Sequence, residues 1–110
     1  MARYPHHGYA DNAQYWIGEC YYDLKQYKAA VREFRRVVER YPHGNKVPEA
    51  MLKIGVSQLA TGDGREGRQQ LESLRRMYPK HPASRLAAAR LAQADEPART
   101  ATVAAEVSPR

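Results

Sequence analysis

The fold is decided by residues 13–42, which read AQYWIGECYYDLKQYKAAVREFRRVVERYP. Apolar residues recur every three or four positions on each side of Lys25, so the stretch predicts two amphipathic helices joined by a short turn. Pro42 ends the second helix, because its ring excludes a helical conformation at the preceding residue. The residues predicted to be buried are Ala13, Ile17, Cys20, Tyr21 and Leu24 in the first helix, and Ala30, Phe34, Val37, Val38 and Tyr41 in the second.

The same pattern repeats along the chain. Tyr-Pro occurs at positions 4, 41 and 78, and both spacings are equal (41 − 4 = 37 and 78 − 41 = 37). A fixed period of this length indicates stacked structural repeats. Residues related by the shift agree in type: Ala13, Ala50 and Ala87; Ile17, Ile54 and Leu91; Gly18 and Gly55; Phe34 and Leu71.

Glycine has three predicted roles in these repeats. Gly18 and Gly55 would lie where paired helices approach most closely. Gly62 and Gly64 would supply the permissive backbone of the turn within the second pair. Gly67 stands where the first pair has alanine, in a helix interior, so Gly67→Ala is expected to stabilise the fold by up to about 1 kcal/mol.

These residues resemble the tetratricopeptide repeat. The first unit matches almost completely, whereas the second is degenerate and has Gly64 and Gly67 at the tyrosine and alanine positions of the pattern. The resemblance implies an all-α solenoid of antiparallel helix pairs, about two and a half repeats long, that ends in a capping helix. The residues of the first unit that carry the resemblance are Ile17, Gly18, Tyr21, Tyr27, Ala30, Phe34 and Pro42.

The chain is expected to contain one repeat domain with short flanks. Residues 1–9 would be the end of a preceding repeat or a linker, and residues 10–94 the repeat domain. In this domain Pro48 would begin the third helix and Ser84 would cap the start of the fifth. From Asp95 onward the apolar period is lost, and Pro97 and Pro109 interrupt the chain. Residues 95–110 are therefore expected to be a disordered tail.

The turns between repeats narrow the resemblance. Each is roughly three residues longer than in the standard unit of about 34 residues. The stretches YADNAQYWIGE at 9–19 and KVPEAMLKIG at 46–55 are similar to the closing domain of the Tol-Pal-associated cell division coordinators, the CpoB/YbgF type. The lipoprotein subunit of the outer-membrane protein assembly machine has similar turns and is the alternative.

The narrower resemblance implies a function as well as a fold. It implies a periplasmic protein-interaction adaptor that coordinates outer-membrane constriction with peptidoglycan synthesis during cell division. Its protein partners would be TolA and a peptidoglycan synthase complex. An upstream coiled coil would make it a homo-oligomer, and no membrane insertion is expected, because no run in the sequence is long and apolar enough.

Composition and charge bear on the remaining function classes. The net charge of +6 raises the alternative of a basic nucleic-acid-binding repeat, since arginines cluster on both second helices. Glu33, Glu39, Glu66 and Glu72 lie among these arginines, which favours a solvated helix face. No nucleic-acid partner is therefore expected.

No site for catalysis, metal or cofactor stands out. The sequence has no glycine-rich phosphate loop and no paired catalytic carboxylates, so no enzymatic activity and no cofactor are expected. The single cysteine, Cys20, is predicted to be a buried and inert thiol. The histidines, at positions 6, 7, 43 and 81, fall in turns and are expected to be solvated rather than to bind metal.

A partner is expected to bind the concave side of the solenoid. By resemblance to other tetratricopeptide proteins, the first helix of each pair lines this side. Its aromatic and aliphatic character suits an amphipathic helix or an extended segment with apolar anchors, although Leu52 and Val56 could instead belong to the core. The predicted groove residues are Asn12, Tyr15, Glu19, Tyr22, Glu49, Leu52, Val56 and Leu59.

Overall fold

Five α-helices follow one another in a computed structural model, which describes the backbone of residues 8–107 and the side chains of residues 10–94. The helices are α1 (Gly8–Asp23), α2 (Tyr27–Arg40), α3 (Val47–Ala60), α4 (Gly64–Met77) and α5 (Pro82–Val107). The described residues form no β-strand. Consecutive helices pack against each other, and α3 also contacts α5, so the predicted all-α solenoid of helix pairs is confirmed.

The turns fall where the sequence places them. α2 and α4 end directly before Tyr41 and Tyr78, whose amide groups donate to the carbonyl oxygens of Val37 and Leu74. Within each pair the turn contains one residue with positive φ. In the second pair this residue is Gly62, at φ 89°, whereas the aligned residue of the first pair is Lys25, at φ 63°. Gly62 therefore has its predicted role.

Two buried clusters hold the helices together. The first joins α1, α2 and α3, and the second joins α3, α4 and α5. α3 thus contributes to both clusters and forms the centre of the solenoid. The first cluster contains Tyr15, Ala30, Phe34, Val37, Ala50 and Ile54. The second contains Val47, Met51, Leu71, Leu74, Ala83, Ala87 and Leu91.

The predicted buried face of α1 is largely wrong. Ala13, Ile17, Cys20 and Leu24 are exposed, and α1 instead packs against α2 through Gln14, Tyr15 and Gly18. Cys20 is accordingly an exposed thiol rather than a buried one. The apolar pattern of α1 is shared with α3, where the corresponding residues, Ala50 and Ile54, are covered by α2. Among the described residues no helix precedes α1 to cover it.

The predicted close approach at two glycines is confirmed. A Cβ atom at Gly18 would lie 2.6 Å from ring atoms of Phe34, and one at Gly55 would lie 2.5 Å from Leu71 Cδ2. Gly67 also lies at a close approach, since a Cβ atom there would be 2.8 Å from the carbonyl oxygen of Gly55. The expectation that Gly67→Ala stabilises the fold is therefore wrong, because this methyl group would meet backbone that cannot easily move.

Polar side chains fix the turns between the repeats. Asp11 of α1 is buried, lies against Gly44 and accepts a hydrogen bond from the Lys46 amide at 3.3 Å. Ser84 does not cap the start of α5 as predicted. Its hydroxyl donates to the carbonyl oxygens of Tyr78, at 2.6 Å, and Leu74, at 3.2 Å. It thus binds the open end of α4.

The start of α5 has a different cap. Nδ1 of His81, the residue before the helix, accepts a hydrogen bond from the amide of Ala83 at 2.9 Å. This satisfies one of the free amide groups of the first turn, as an N-cap side chain does. Pro48 lies in the first turn of α3, where its missing amide hydrogen costs nothing.

The backbone of α5 extends beyond the predicted domain boundary. It stays helical to Val107, where the sequence predicts an irregular tail from Asp95. Alanine is frequent in this segment and has the highest helix propensity, which favours the continuation. The boundary at residue 94 stays a prediction.

Candidate functional site

Side chains of α1 and α3 meet along one side of the solenoid. Lys53 of α3 reaches α1, and its Nζ lies 3.3 Å from Glu19 Oε1 and 4.0 Å from the centre of the Tyr22 ring. The Tyr22 ring packs in turn against the edge of Tyr27, with 5.5 Å between ring centres. We call this side the α1–α3 surface and define it by Glu19, Tyr22, Glu49, Leu52, Lys53 and Leu59.

Tyr15 lies beneath this surface rather than on it. It is buried in the first cluster, its ring centre is 5.3 Å from that of Phe34, and Lys46 Nζ lies 5.1 Å above its ring. Burial raises the pKa of the Tyr15 hydroxyl well above its usual range, and the hydrogen bond to Glu19 and the charge of Glu49 raise it further. The hydroxyl therefore stays protonated and donates to Glu19.

We expect Tyr15 to make stability depend on alkaline pH. A group whose pKa is raised in the folded state contributes stability that is complete below its ordinary value of 10.0 and is lost above it. Chemical unfolding of the parent and of Tyr15→Phe should therefore differ most below pH 10, with the difference shrinking at higher pH. A difference independent of pH across this range would show that the fold does not hold Tyr15 protonated.

The aliphatic half of the predicted groove is only partly open. Val56 is buried, while Leu52 and Leu59 are half-buried and pack against the second cluster. Asn12 Oδ1 and Glu49 Oε1 are buried and have no hydrogen-bond donor among the described residues. The surface available to a partner therefore consists of one half-buried tyrosine, two half-buried leucines and a charged pair.

The comparison with protein families agrees with this architecture. The family model of the tetratricopeptide repeat matches residues 12–44 and again residues 49–81. The chain belongs to this family. Tetratricopeptide repeats are typically non-enzymatic modules that mediate protein–protein interactions. No curated protein matches the sequence.

Two of the predicted groove residues, Glu19 and Tyr22, meet at Lys53 of α3. Asn12, Glu19 and Tyr22 on α1 and Glu49, Leu52 and Leu59 on α3 are partly accessible, whereas Tyr15 and Val56 belong to the buried side of the two helices. The open alternative that Val56 is a core residue is thus the one the structure supports. Partner binding by the remaining residues stays a prediction.

Sequence reasoning missed Lys53, which links the two helices of this surface. Lys53 lies four residues after Glu49 and three before Val56, so the same helical spacing that selected those residues also selects it. Its partner Glu19 is one of the predicted groove residues, and the side chains of both are half-buried.

The arginines of the second helices have acidic neighbours on the same helix. Arg36 Nη1 lies 3.2 Å from Glu33 Oε1, and Arg75 Nη1 lies 3.7 Å from Glu72 Oε1. Both pairs span three residues along the helix. The Arg75–Glu72 pair is exposed, as expected of a solvated face, whereas Glu33 is largely buried and also accepts a hydrogen bond from Gln14 of α1. The arrangement gives no specific support to the nucleic-acid alternative.

Two further findings concern the described part of the chain alone. None of its histidine, cysteine, aspartate and glutamate side chains form a group of three or more that could hold a metal ion. None of its helices combines the length and the apolar character needed to cross a bilayer.

Proposed function

We propose that this tetratricopeptide chain is a periplasmic adaptor of the Tol-Pal type, which coordinates outer-membrane constriction with peptidoglycan synthesis during cell division. Support for an interaction role comes from the repeat family itself, whose stacked helices present extended binding surfaces. Support for the narrower assignment comes from the long Tyr-Pro turns and from the stretches at 9–19 and 46–55. The protein partners in this proposal are TolA and a peptidoglycan synthase complex.

The observation that carries the binding site is the arrangement of Tyr22, Glu19 and Lys53. Lys53 contacts both α1 residues and fixes the Tyr22 ring from one side, while Tyr27 fixes it from another. A held aromatic ring loses little conformational freedom on binding, which is why tyrosine is frequent at the energetic centres of interfaces. Leu52 and Leu59 extend the surface along α3 with apolar area.

This arrangement suits a partner segment with mixed character. An apolar side chain would pack on Tyr22 and on the two leucines, and a polar or charged group would face the Glu19–Lys53 pair. An amphipathic helix or an extended segment with alternating apolar and polar residues meets both requirements. This role requires no catalysis, because the surface only has to bind a partner.

The test is a calorimetric titration of the chain with the periplasmic region of TolA. We expect Tyr22→Ala to weaken binding by about 2 kcal/mol, or nearly thirtyfold in Kd, because truncation of a central aromatic anchor commonly has this effect. Circular dichroism should show that the variant remains folded, since Tyr22 is only half-buried.

The matched control is Arg36→Ala, an exposed residue on α2 whose ion pair with Glu33 lies within its own helix. It should leave affinity within about 0.5 kcal/mol. No binding of TolA by the folded parent would exclude the Tol-Pal assignment. Equal binding by the parent and a folded Tyr22→Ala variant would exclude the α1–α3 surface but not the partner.

A further inference from the structure

Two shallow depressions adjoin each other on α4 and the start of α5. One, with a volume of about 550 Å³, runs along α4 from Arg68 to Arg76. The other, of about 460 Å³, lies between the end of α4 and the start of α5, where Arg85 lines it. Glu72 and Arg76 line both depressions, which therefore form one surface. We call it the arginine patch and define it by Arg68, Glu72, Arg75, Arg76 and Arg85, all of which are exposed.

Charge distinguishes the arginine patch from the depression between α2 and α4. That depression is lined by three basic residues and two acidic ones, so its charges nearly balance. They are Lys28, Arg32, Arg35, Asp63 and Glu66. The two depressions of the arginine patch are lined by four arginines and one glutamate. The arginine patch therefore has the larger excess of positive charge.

The same asymmetry is present along the chain. Residues 10–63 contain eight lysines and arginines and seven aspartates and glutamates, a net charge of +1. Residues 64–94 contain seven lysines and arginines and two glutamates, a net charge of +5. Most of the net charge of the protein, +6, thus lies on α4, the turn after it and the described side chains of α5. A local excess of this kind attracts negatively charged partners.

Contacts within the arginine patch leave donor groups available. Arg75 Nη1 lies 3.7 Å from Glu72 Oε1, which is too long for a hydrogen bond, and both side chains are about half exposed. Such a pair contributes little. Arg76 Nη2 donates to the neutral hydroxyl of Ser73 at 3.1 Å. Because a guanidinium group has five N–H donors, one such bond leaves most of them free for another acceptor.

We propose that the arginine patch binds an acidic segment of a partner protein, with several aspartate or glutamate side chains. Guanidinium groups bind carboxylates with two parallel hydrogen bonds, which lysine cannot do. Six of the seven basic residues in 64–94 are arginines. One carboxylate of the segment would lie between Arg76 and Arg85, and another would replace Glu72 as the partner of Arg75.

An acidic protein segment fits the arginine patch better than a nucleic acid does. Glu72 lies between the arginines and would repel a backbone that is charged at every phosphate, whereas a peptide can place a neutral residue there. DNA-binding proteins commonly neutralise about 6–10 phosphates, which exceeds the four arginines of the patch. The patch shares no residue with the α1–α3 surface, so the proposal does not depend on the partner assigned there.

The probe is a fluorescein-labelled octaglutamate peptide, and binding to the 110-residue chain is followed by fluorescence anisotropy. We expect saturable binding that weakens as the salt concentration rises. The double variant Arg76→Gln/Arg85→Gln should bind roughly tenfold more weakly or worse, because it removes two charge-assisted contacts. Glu72→Gln should bind roughly threefold more tightly, since it removes the competing carboxylate.

The matched control is the double variant Lys28→Gln/Arg32→Gln. It removes the same charge from exposed positions on α2, so it should weaken binding by less than about threefold. All substituted residues are exposed, and circular dichroism should show that each variant remains folded.

Several results would overturn the proposal. One is the absence of saturable binding by the parent chain. Equal losses in the two double variants would show that net charge alone attracts the peptide. Unchanged or weaker binding by Glu72→Gln would show that the peptide does not lie at Glu72. Tighter binding of an oligothymidine strand than of the peptide, weakened by Arg76→Gln/Arg85→Gln, would assign the patch to a phosphate backbone instead.

Discussion

Phe34→Ala is expected to lower the free energy of unfolding by about 3–5 kcal/mol, the largest effect of any single truncation considered for this chain. The Phe34 side chain is fully buried between α1, α2 and α3, packs against the Tyr15 ring and fills the space over Gly18. Its removal leaves a cavity that the backbone at Gly18 cannot fill. Urea unfolding followed by circular dichroism measures the change.

The expected loss is large relative to the stability of a small domain, which totals about 5–15 kcal/mol. Leu24→Ala is the control, since Leu24 is apolar but exposed on α1, and it should change stability by less than about 0.5 kcal/mol. A Phe34→Ala variant as stable as the Leu24→Ala variant would contradict the packing of α1 on α2 described above.

The number of helices and the ends of α2 and α4 could be predicted from the sequence because local rules decide them. Tyr41 and Tyr78 end α2 and α4 because the prolines that follow exclude a further helical residue. The apolar spacing in α2 corresponds to a single buried face, so Ala30, Phe34 and Val37 were assigned correctly to the core. In such helices the sequence period and the buried side coincide.

The buried side of α1 could not be predicted in the same way. Its apolar period marks the exposed side with Ala13, Ile17 and Leu24. The side that packs on α2 contains Gln14, whose amide group donates to the backbone carbonyl oxygen of Glu33 at 3.0 Å. A hydrogen-bonded polar residue in a helix interface carries no apolar signal. The period of a solenoid helix predicts which surface pairs with a neighbour, but not whether that neighbour is present.

Only part of the α1–α3 surface could be predicted from the sequence. Helical spacing identified the side of α3 that contains Glu49, Leu52 and Leu59. The position of Lys53 between Glu19 and Tyr22 depends on the distance between two first helices, which the sequence does not specify. Contacts between helices that are not consecutive therefore required the structure.

Gly67→Ala and Gly55→Ala are each expected to lower the free energy of unfolding by about 1–3 kcal/mol, because both would overpack the contact between α3 and α4. The added methyl at position 67 would lie 2.8 Å from the carbonyl oxygen of Gly55 and 3.0 Å from the amide nitrogen of Leu59. The higher helix propensity of alanine stabilises the helix by only about 1 kcal/mol. The steric effect is larger, so the net change is a loss of stability.

The first helix pair explains why the sequence pattern was misleading here. At the position aligned with Gly67 it has Ala30, which is fully buried without strain, and at the position aligned with Leu71 it has the larger Phe34. Leu71 is smaller than Phe34 and fills less space between the paired helices. The backbones of α3 and α4 therefore approach each other closely at Gly55 and Gly67. The two substitutions between the repeats are thus coupled, and a prediction for Gly67 alone misses the effect of Leu71.

A double-mutant cycle separates this explanation from a local clash. Once one alanine has moved α3 and α4 apart, the second should meet less resistance, so the double variant is expected to lose less stability than the two single variants together. Gly64→Ala is the control, because a Cβ atom at that position meets no atom within 4 Å, and it should be neutral or stabilising. Thermal unfolding of the four variants (Gly55→Ala, Gly67→Ala, the double variant and Gly64→Ala) measures the change in stability of each. Strictly additive losses at positions 55 and 67 would mean that each methyl is accommodated locally, and that the size of Leu71 does not set the distance between the two helices.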